Sequence, residues 1–129
     1  MRVLLDTQVW LWMLAAPERL SPDARALVAS PETELWLSAA SSWEIAIKVG
    51  VGKLTLPESP ESYLPRVMRR MGITPLPIEH RHALHVATLP RHHRDPFDRL
   101  LVAQAHLEQL PLMTADASLG AYDVEIVTA

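Results

Sequence analysis

Residues 2–15 read RVLLDTQVWLWMLA, and they change character at Asp6. Val3, Leu4 and Leu5 form an unbroken apolar run rather than an alternating one, the pattern of a strand buried on both faces. TQVWLWMLA, residues 7–15, then reads as a helix that Thr7 is able to cap and that ends before Pro17. A buried strand passing directly into a helix is the opening of a βαβ unit. The acid at the junction then lies at the carboxyl end of a strand.

The rest of the chain repeats the alternation. SPDARALVAS (21–30) carries Ser21 as cap, Pro22 at the first helical position and Asp23 in the first turn. ELWLS (34–38) is a second short strand. SSWEIAIKVG (41–50) is a helix with Gly50 as its stop. ESYLPRVMRRMG (61–72) is helical if the helix starts near Ser62, so that Pro65 falls in the first turn. ITPLPI (73–78) reads as an edge strand because of its prolines. EHRHALHVATLP (79–90) is a helix ended before Pro90. DPFDRLLVAQAHLEQL (95–110) is the strongest helix, with Asp95 as cap, Pro96 at its first position, and Phe97, Leu100, Leu101 and Ala105 on one stripe. PLMTAD (111–116) is a strand plus loop, and VEIVT (124–128) a last strand. The order predicts a single α/β domain over residues 1–129, with a central, mostly parallel five-stranded sheet between two helical layers.

The bulk numbers narrow the function. The 129 residues are 49% hydrophobic, enough for a folded core, and carry a formal charge of −3, which excludes a general basic nucleic-acid coat. There is no cysteine, so disulfides, thiolate chemistry and zinc–cysteine sites are excluded. With no membrane-length apolar run and no signal-peptide pattern, a cytoplasmic location is expected. Ten of the cations are arginines; Lys48 and Lys53 are the lysines. No Gly-rich phosphate loop occurs, and His80, His82 and His85 lack the spacing of a helical HExxH pair. His92 and His93 read as surface residues.

In open α/β sheets ligands bind beyond the carboxyl ends of the strands. Four acids fall there: Asp6 after the first strand, Glu44 in the first turns of the helix after the second, Asp98 in the first turn of the 95–110 helix, and Asp116 after PLMT. Each has an ordinary alternative. Asp6 can be a turn residue, Glu44 can pair with Lys48 one turn on, Asp98 can balance a helix dipole, and Asp116 can cap ASLG. Together the alternatives leave the gathering unexplained. Four carboxylates at one edge repel one another, and a divalent cation relieves that; an oxygen-rich set suits Mg2+ or Mn2+.

VLLDTQVW, LSAASSWEIAIKVGVGKL, HRDPFDRLLVAQA and LMTADASL together resemble the PIN domains, and most closely the VapC-like toxins of bacterial toxin–antitoxin pairs. The resemblance runs in order over essentially the whole chain. It implies a three-layer α/β/α fold and a Mg2+- or Mn2+-dependent ribonuclease site built from Asp6, Glu44, Asp98 and Asp116, with Thr7 and Thr114 as supporting hydroxyls. Asp95 belongs to the DPFDR subgroup rather than to PIN domains at large. The resemblance also implies a small VapB-like antitoxin as partner, with Trp10 and Trp12, Leu20 to Val28, and Met68 and Met71 as surfaces for it or as core, and a tendency to form homodimers. Arg94, Arg99, Lys48 and Lys53 are placed to guide the RNA backbone. A nuclease of RNA processing and a non-catalytic PIN-like module are the alternatives. A haloacid-dehalogenase phosphatase needs a second acid where Gln8 stands and a late lysine, and a receiver domain needs an acidic pair and a late lysine; neither set is present.

Overall fold

A computed structural model describes residues 1–129. Its elements are β1 (Arg2–Leu5), α1 (Thr7–Ala15), α2 (Pro22–Ala29), β2 (Glu34–Ser38), α3 (Ala39–Gly50), α4 (Pro60–Met71), β3 (Thr74–Leu76), α5 (His80–His85), α6 (Pro96–Glu108), β4 (Leu112–Thr114) and β5 (Ile126–Thr128), with short 3-10 turns at Pro17–Arg19, Val86–Thr88 and Ala117–Ala121. The five strands form one sheet in the order β3-β2-β1-β4-β5. Every pairing is parallel, so the sheet is wholly rather than mostly parallel. No helix is long and apolar enough to cross a membrane.

Strand periodicity divides the core. Val3 and Leu5 face one helical layer, packing with Val9 and Trp10 of α1, Ala24 of α2, and Leu64 and Val67 of α4. Leu4 faces the other, with Leu101, Val102 and Ala105 of α6. β1 is buried on both faces, which is why it shows no alternation of polar residues.

The chain runs β1, β2, β3 in one direction across the sheet and then returns to place β4 and β5 on the far side of β1. The strand order reverses between β1 and β4. That topological switch point leaves a crevice at the carboxyl edge, because the connections on either side leave in opposite directions.

Four local expectations change. Thr7 does not cap α1; Asp6 holds the cap position, without a side-chain cap bond. The Thr7 hydroxyl instead donates to Ser41 Oγ at 2.8 Å, joining the start of α1 to α3. α4 begins at Pro60 behind Ser59, so Pro65 lies inside the helix rather than in its first turn. Its ring faces an open groove where the missing backbone bond is tolerated. The 79–90 segment is not one helix: α5 ends at His85 and a 3-10 turn completes it. Trp10 and Leu20 are core, whereas Met68 lines the groove and Met71 is exposed.

A buried polar chain ties the helices that carry the site. Ser38 caps α3 by accepting from Ala40 N–H at 3.0 Å, and its hydroxyl donates to Gln104 Oε1 of α6. Gln104 Nε2 donates to the Pro77 carbonyl at 3.2 Å. The fully buried His82 accepts the Glu79 N–H on Nδ1 and turns Nε2 to Glu108 Oε1 at 2.8 Å. Every member has a partner, so the chain fixes α3, α5 and α6 in one register.

Candidate active site

Asp6 leaves β1 at the switch point. Parallel pairing of Leu5 with Met113 sets Asp6 beside Thr114. The Thr114 hydroxyl donates to Asp6 Oδ2 at 2.7 Å, in a buried position. The carboxyl is therefore aimed by the neighbouring strand rather than by its own helix. Burial, above all, pushes the Asp6 carboxyl up; the Thr114 bond opposes this, and the charges of Glu44 and Asp116 add to it.

Asp98 arrives from α6, whose entry is rigid. Asp95 Oδ1 accepts from Phe97 N–H at 2.8 Å and from Asp98 N–H at 3.3 Å, with Pro96 at the first position. Burial pushes the Asp98 carboxyl up to about 7; the charges of Asp6, Asp95 and Glu44 act in the same direction and His93 opposes them. Asp116 follows β4 and caps the turn after it, accepting from Ser118 N–H at 3.0 Å. The Ser118 hydroxyl, first, holds Asp116 below the usual carboxylate range, with His93 assisting. Glu44, on the sixth residue of α3, pairs with Lys48 Nζ at 3.1 Å.

The four acids thus meet at one edge, and three of the ordinary alternatives are true as well. Glu44 does pair with Lys48, Asp116 does cap a turn, and Asp98 does sit in a first turn. Those roles orient the carboxylates. They leave uncompensated the burial, and after it the neighbouring charges, that drive Asp6 and Asp98 upward.

His93 departs from its expected surface role. Its Nδ1 accepts the Asp95 N–H at 3.2 Å, which leaves the proton on Nε2; Nε2 lies 3.1 Å from Asp116 Oδ2 and 3.5 Å from Asp98 Oδ2. The ligating atoms of His93, Asp98 and Asp116 all lie within 4.8 Å of one another. The sequence cue was the fixed distance from His93 to DPFD, which only the folded loop converts into contact. Arg99, expected to guide RNA, is instead a strut: it donates to the carbonyls of Pro90 at 2.9 Å and Val86 at 3.0 Å. Lys48 is engaged by Glu44, while Lys53 and Arg94 are exposed.

The donor set fits a divalent cation. It is rich in carboxylate oxygens, contains no sulfur, and holds two carboxyls in a state that positive charge would relieve. If Asp95 only caps α6, Asp95→Asn, which keeps the acceptor, should retain the wild-type fold and the divalent-ion affinity of the acid cluster within a few-fold. Asp95→Ala should lose about 1 kcal/mol of stability, read from urea unfolding. Complete loss of Mn2+ binding in Asp95→Asn, with the fold intact, would instead make that carboxylate one of the ion's ligands.

A wholly parallel α/β domain with four acids gathered at its switch point, and no Gly-rich phosphate loop, sets the class apart from a cofactor-binding Rossmann fold. The PIN domain profile matches residues 3–125, and the chain belongs to that family. It is 48% identical over 71 residues to Ribonuclease VapC16 of Mycobacterium tuberculosis, an alignment covering 52% of this chain and 50% of that protein. The chain therefore matches about half the length of that curated relative. Its fold is shared with VapBC2 of Rickettsia felis bound to a promoter DNA fragment, at a TM-score of 0.73 and 16% identity, covering 99% of this chain and 98% of the other. FitAcB of Neisseria gonorrhoeae gives 0.63 and 24%, covering 98% and 96%.

Proposed function

We propose that this chain is a Mg2+- or Mn2+-dependent endoribonuclease, acting as the toxin of a toxin–antitoxin pair and restrained by a small VapB-like antitoxin. The observation that carries the proposal is the convergence of Asp6, Glu44, Asp98 and Asp116 at the switch point, with Asp6 and Asp98 pushed above the ordinary carboxylate range. The match to Ribonuclease VapC16 supports RNA as the substrate, and the VapBC neighbours support the antitoxin.

Asp6, Asp98 and Asp116 would hold the ion, which when bound supplies an acidified water and neutralises charge on the scissile phosphate. Thr114 keeps Asp6 aimed, and Asp95 keeps Asp98 aimed, so little reorganisation is needed when substrate arrives. Glu44, fixed by Lys48, is the group that orients or deprotonates the attacking water. The products would carry 5′-phosphate and 3′-hydroxyl ends. A cytoplasmic location follows from an RNA target.

An apolar groove of about 540 Å3 along α4 and β3, with Pro65, Met68 and Ile73 in its lining, offers the antitoxin a docking surface. The exposed apolar residues Trp43 and Ile47 of α3 and Val51 just past its end, spaced four residues apart, support a homodimer, which light scattering would weigh directly.

The test is induced expression in bacteria. Growth arrest is expected for the wild type, none for Asp98→Asn, and relief by co-expression of a VapB-like antitoxin that binds the chain. Absence of arrest, with RNA cleavage intact in vitro, would move the reading to RNA processing. Absence of both would leave a non-catalytic module.

A further inference from the structure

Beside the acids lies a cleft of about 590 Å3 lined by Arg91, His93, Arg94 and Arg99, with no carboxylate in its wall. Arg99 is committed to loop carbonyls and to Tyr122 Oη at 3.3 Å, so it shapes the wall. Arg91 and Arg94 are exposed and take part in none of the protein's ion pairs. His93 belongs to both places. It lines the cleft, and its Nε2–H reaches Asp116 and Asp98. One imidazole therefore separates the acidic centre from a cationic hollow.

A chain of net charge −3 with an acidic centre repels a polyanion there unless positive charge is concentrated nearby. Two free guanidinium groups on one short loop can each grip a phosphate through paired N–H donors. We propose that the cleft of Arg91, His93 and Arg94 is the subsite for the RNA phosphate adjoining the one that is cut. The subsite rests on the reading that the acids cut RNA, and it gives the strand its path: one phosphate at the acids, the next across His93 between the arginines. A divalent cation does not compete for the Arg91 and Arg94 side of this hollow, because guanidinium groups are cationic and have no lone pair to offer.

The experiment uses a 12-nucleotide single-stranded RNA. Its binding is followed by fluorescence anisotropy in EDTA at several salt concentrations, and its cleavage by steady-state kinetics with Mn2+. The proteins are wild type, R91A/R94A, and R69A/R70A as a control on the exposed end of α4. R91A/R94A is expected to bind about 10-fold or more weakly, with the slope of log affinity against log salt shallower by about 0.7 for each phosphate that is no longer neutralised. In cleavage its loss should fall on KM rather than kcat. R69A/R70A should bind like the wild type.

Unchanged affinity and slope in R91A/R94A, or an equal loss in R69A/R70A, would overturn the subsite; the second result would show diffuse attraction only. The two proposals fail separately. If the wild type does not cut RNA but R91A/R94A still binds it more weakly, the nuclease reading falls and the anionic subsite stands. If the wild type cuts and R91A/R94A matches it in KM, the subsite alone falls.

Discussion

Asp6→Asn is expected to abolish RNA cleavage while raising the melting temperature of the metal-free protein. The two effects share one cause. The Asp6 carboxylate is held in a buried position beside Glu44 and Asp116, where its charge is unfavourable. Asparagine is nearly the same size and keeps an oxygen to accept the Thr114 hydroxyl, so the fold has no reason to change. It cannot supply the anionic oxygen that a divalent ion requires. Loss of one such electrostatic element costs about 10²–10³ in kcat in other hydrolytic sites, and removal of a metal ligand should cost at least that. Removing the charge also relieves Asp98, since Asp6 is the largest charged contributor to its upward shift. Calorimetry in EDTA at about pH 8.5, above the range in which Asp98 titrates, should show a higher midpoint for the variant. A Mn2+ titration should show lost or greatly weakened binding. A variant that cut RNA at the wild-type rate would remove Asp6 from the site. A variant with a lower midpoint in EDTA would mean that the carboxylate is not strained in the way its burial implies.

The elements legible in the sequence were those whose physics is local or periodic. The unbroken apolar run of β1 is buried on both faces because it is the central strand. Ser21-Pro22-Asp23 and Asp95-Pro96 cap helices by hydrogen bonds that reach no more than three residues along the chain. Pro75 sits on β3, an edge strand, where a missing N–H breaks only one possible ladder. The four acids were legible because strand ends in a parallel sheet share an edge whatever the side-chain details. Contacts between distant segments were not. His82 is buried by Glu108 and Gln104, more than twenty residues away, and nothing near it in sequence announces them. His93 reaches Asp116 across twenty-three positions. Arg99 looks like a free cation in the sequence because carbonyls, which every residue carries, leave no trace there. Pro65 departs from its expected place for a related reason: a helix accepts an internal proline where the missing bond faces an open groove, and the groove exists only once α3 and α4 are packed.

The stability of the metal-free protein should fall as pH rises from about 4 to about 7, and Mn2+ should restore it at the upper end. Asp98 carries its carboxyl at about 7 in the folded chain against 3.8 for an unperturbed aspartate. Between those values the folded protein holds a proton that the unfolded chain has released. Stability contributed by that proton is complete below about pH 4 and is lost as pH rises through about 7. Asp6 is shifted in the same sense. Asp116 and Glu108 are shifted downward, so their contributions are lost only in acid, below this window. A shift of one pKa unit corresponds to about 1.4 kcal/mol, but Asp98 is partly open to solvent, which screens its repulsion by the neighbouring acids, so about 1–2 kcal/mol is expected across the window. In a domain of this size that is a drop in midpoint on the order of 5 °C. Asp98→Asn should flatten the profile, because the unfolded and folded chains then bind the same protons at that position. A divalent ion binds the ionised form alone, so its stabilising effect should grow over the same interval in which the metal-free protein weakens. If wild type and Asp98→Asn lost stability in parallel across that interval, the strain would lie outside the acid cluster. If Mn2+ stabilised both equally, the carboxylate of Asp98 would not be one of its ligands.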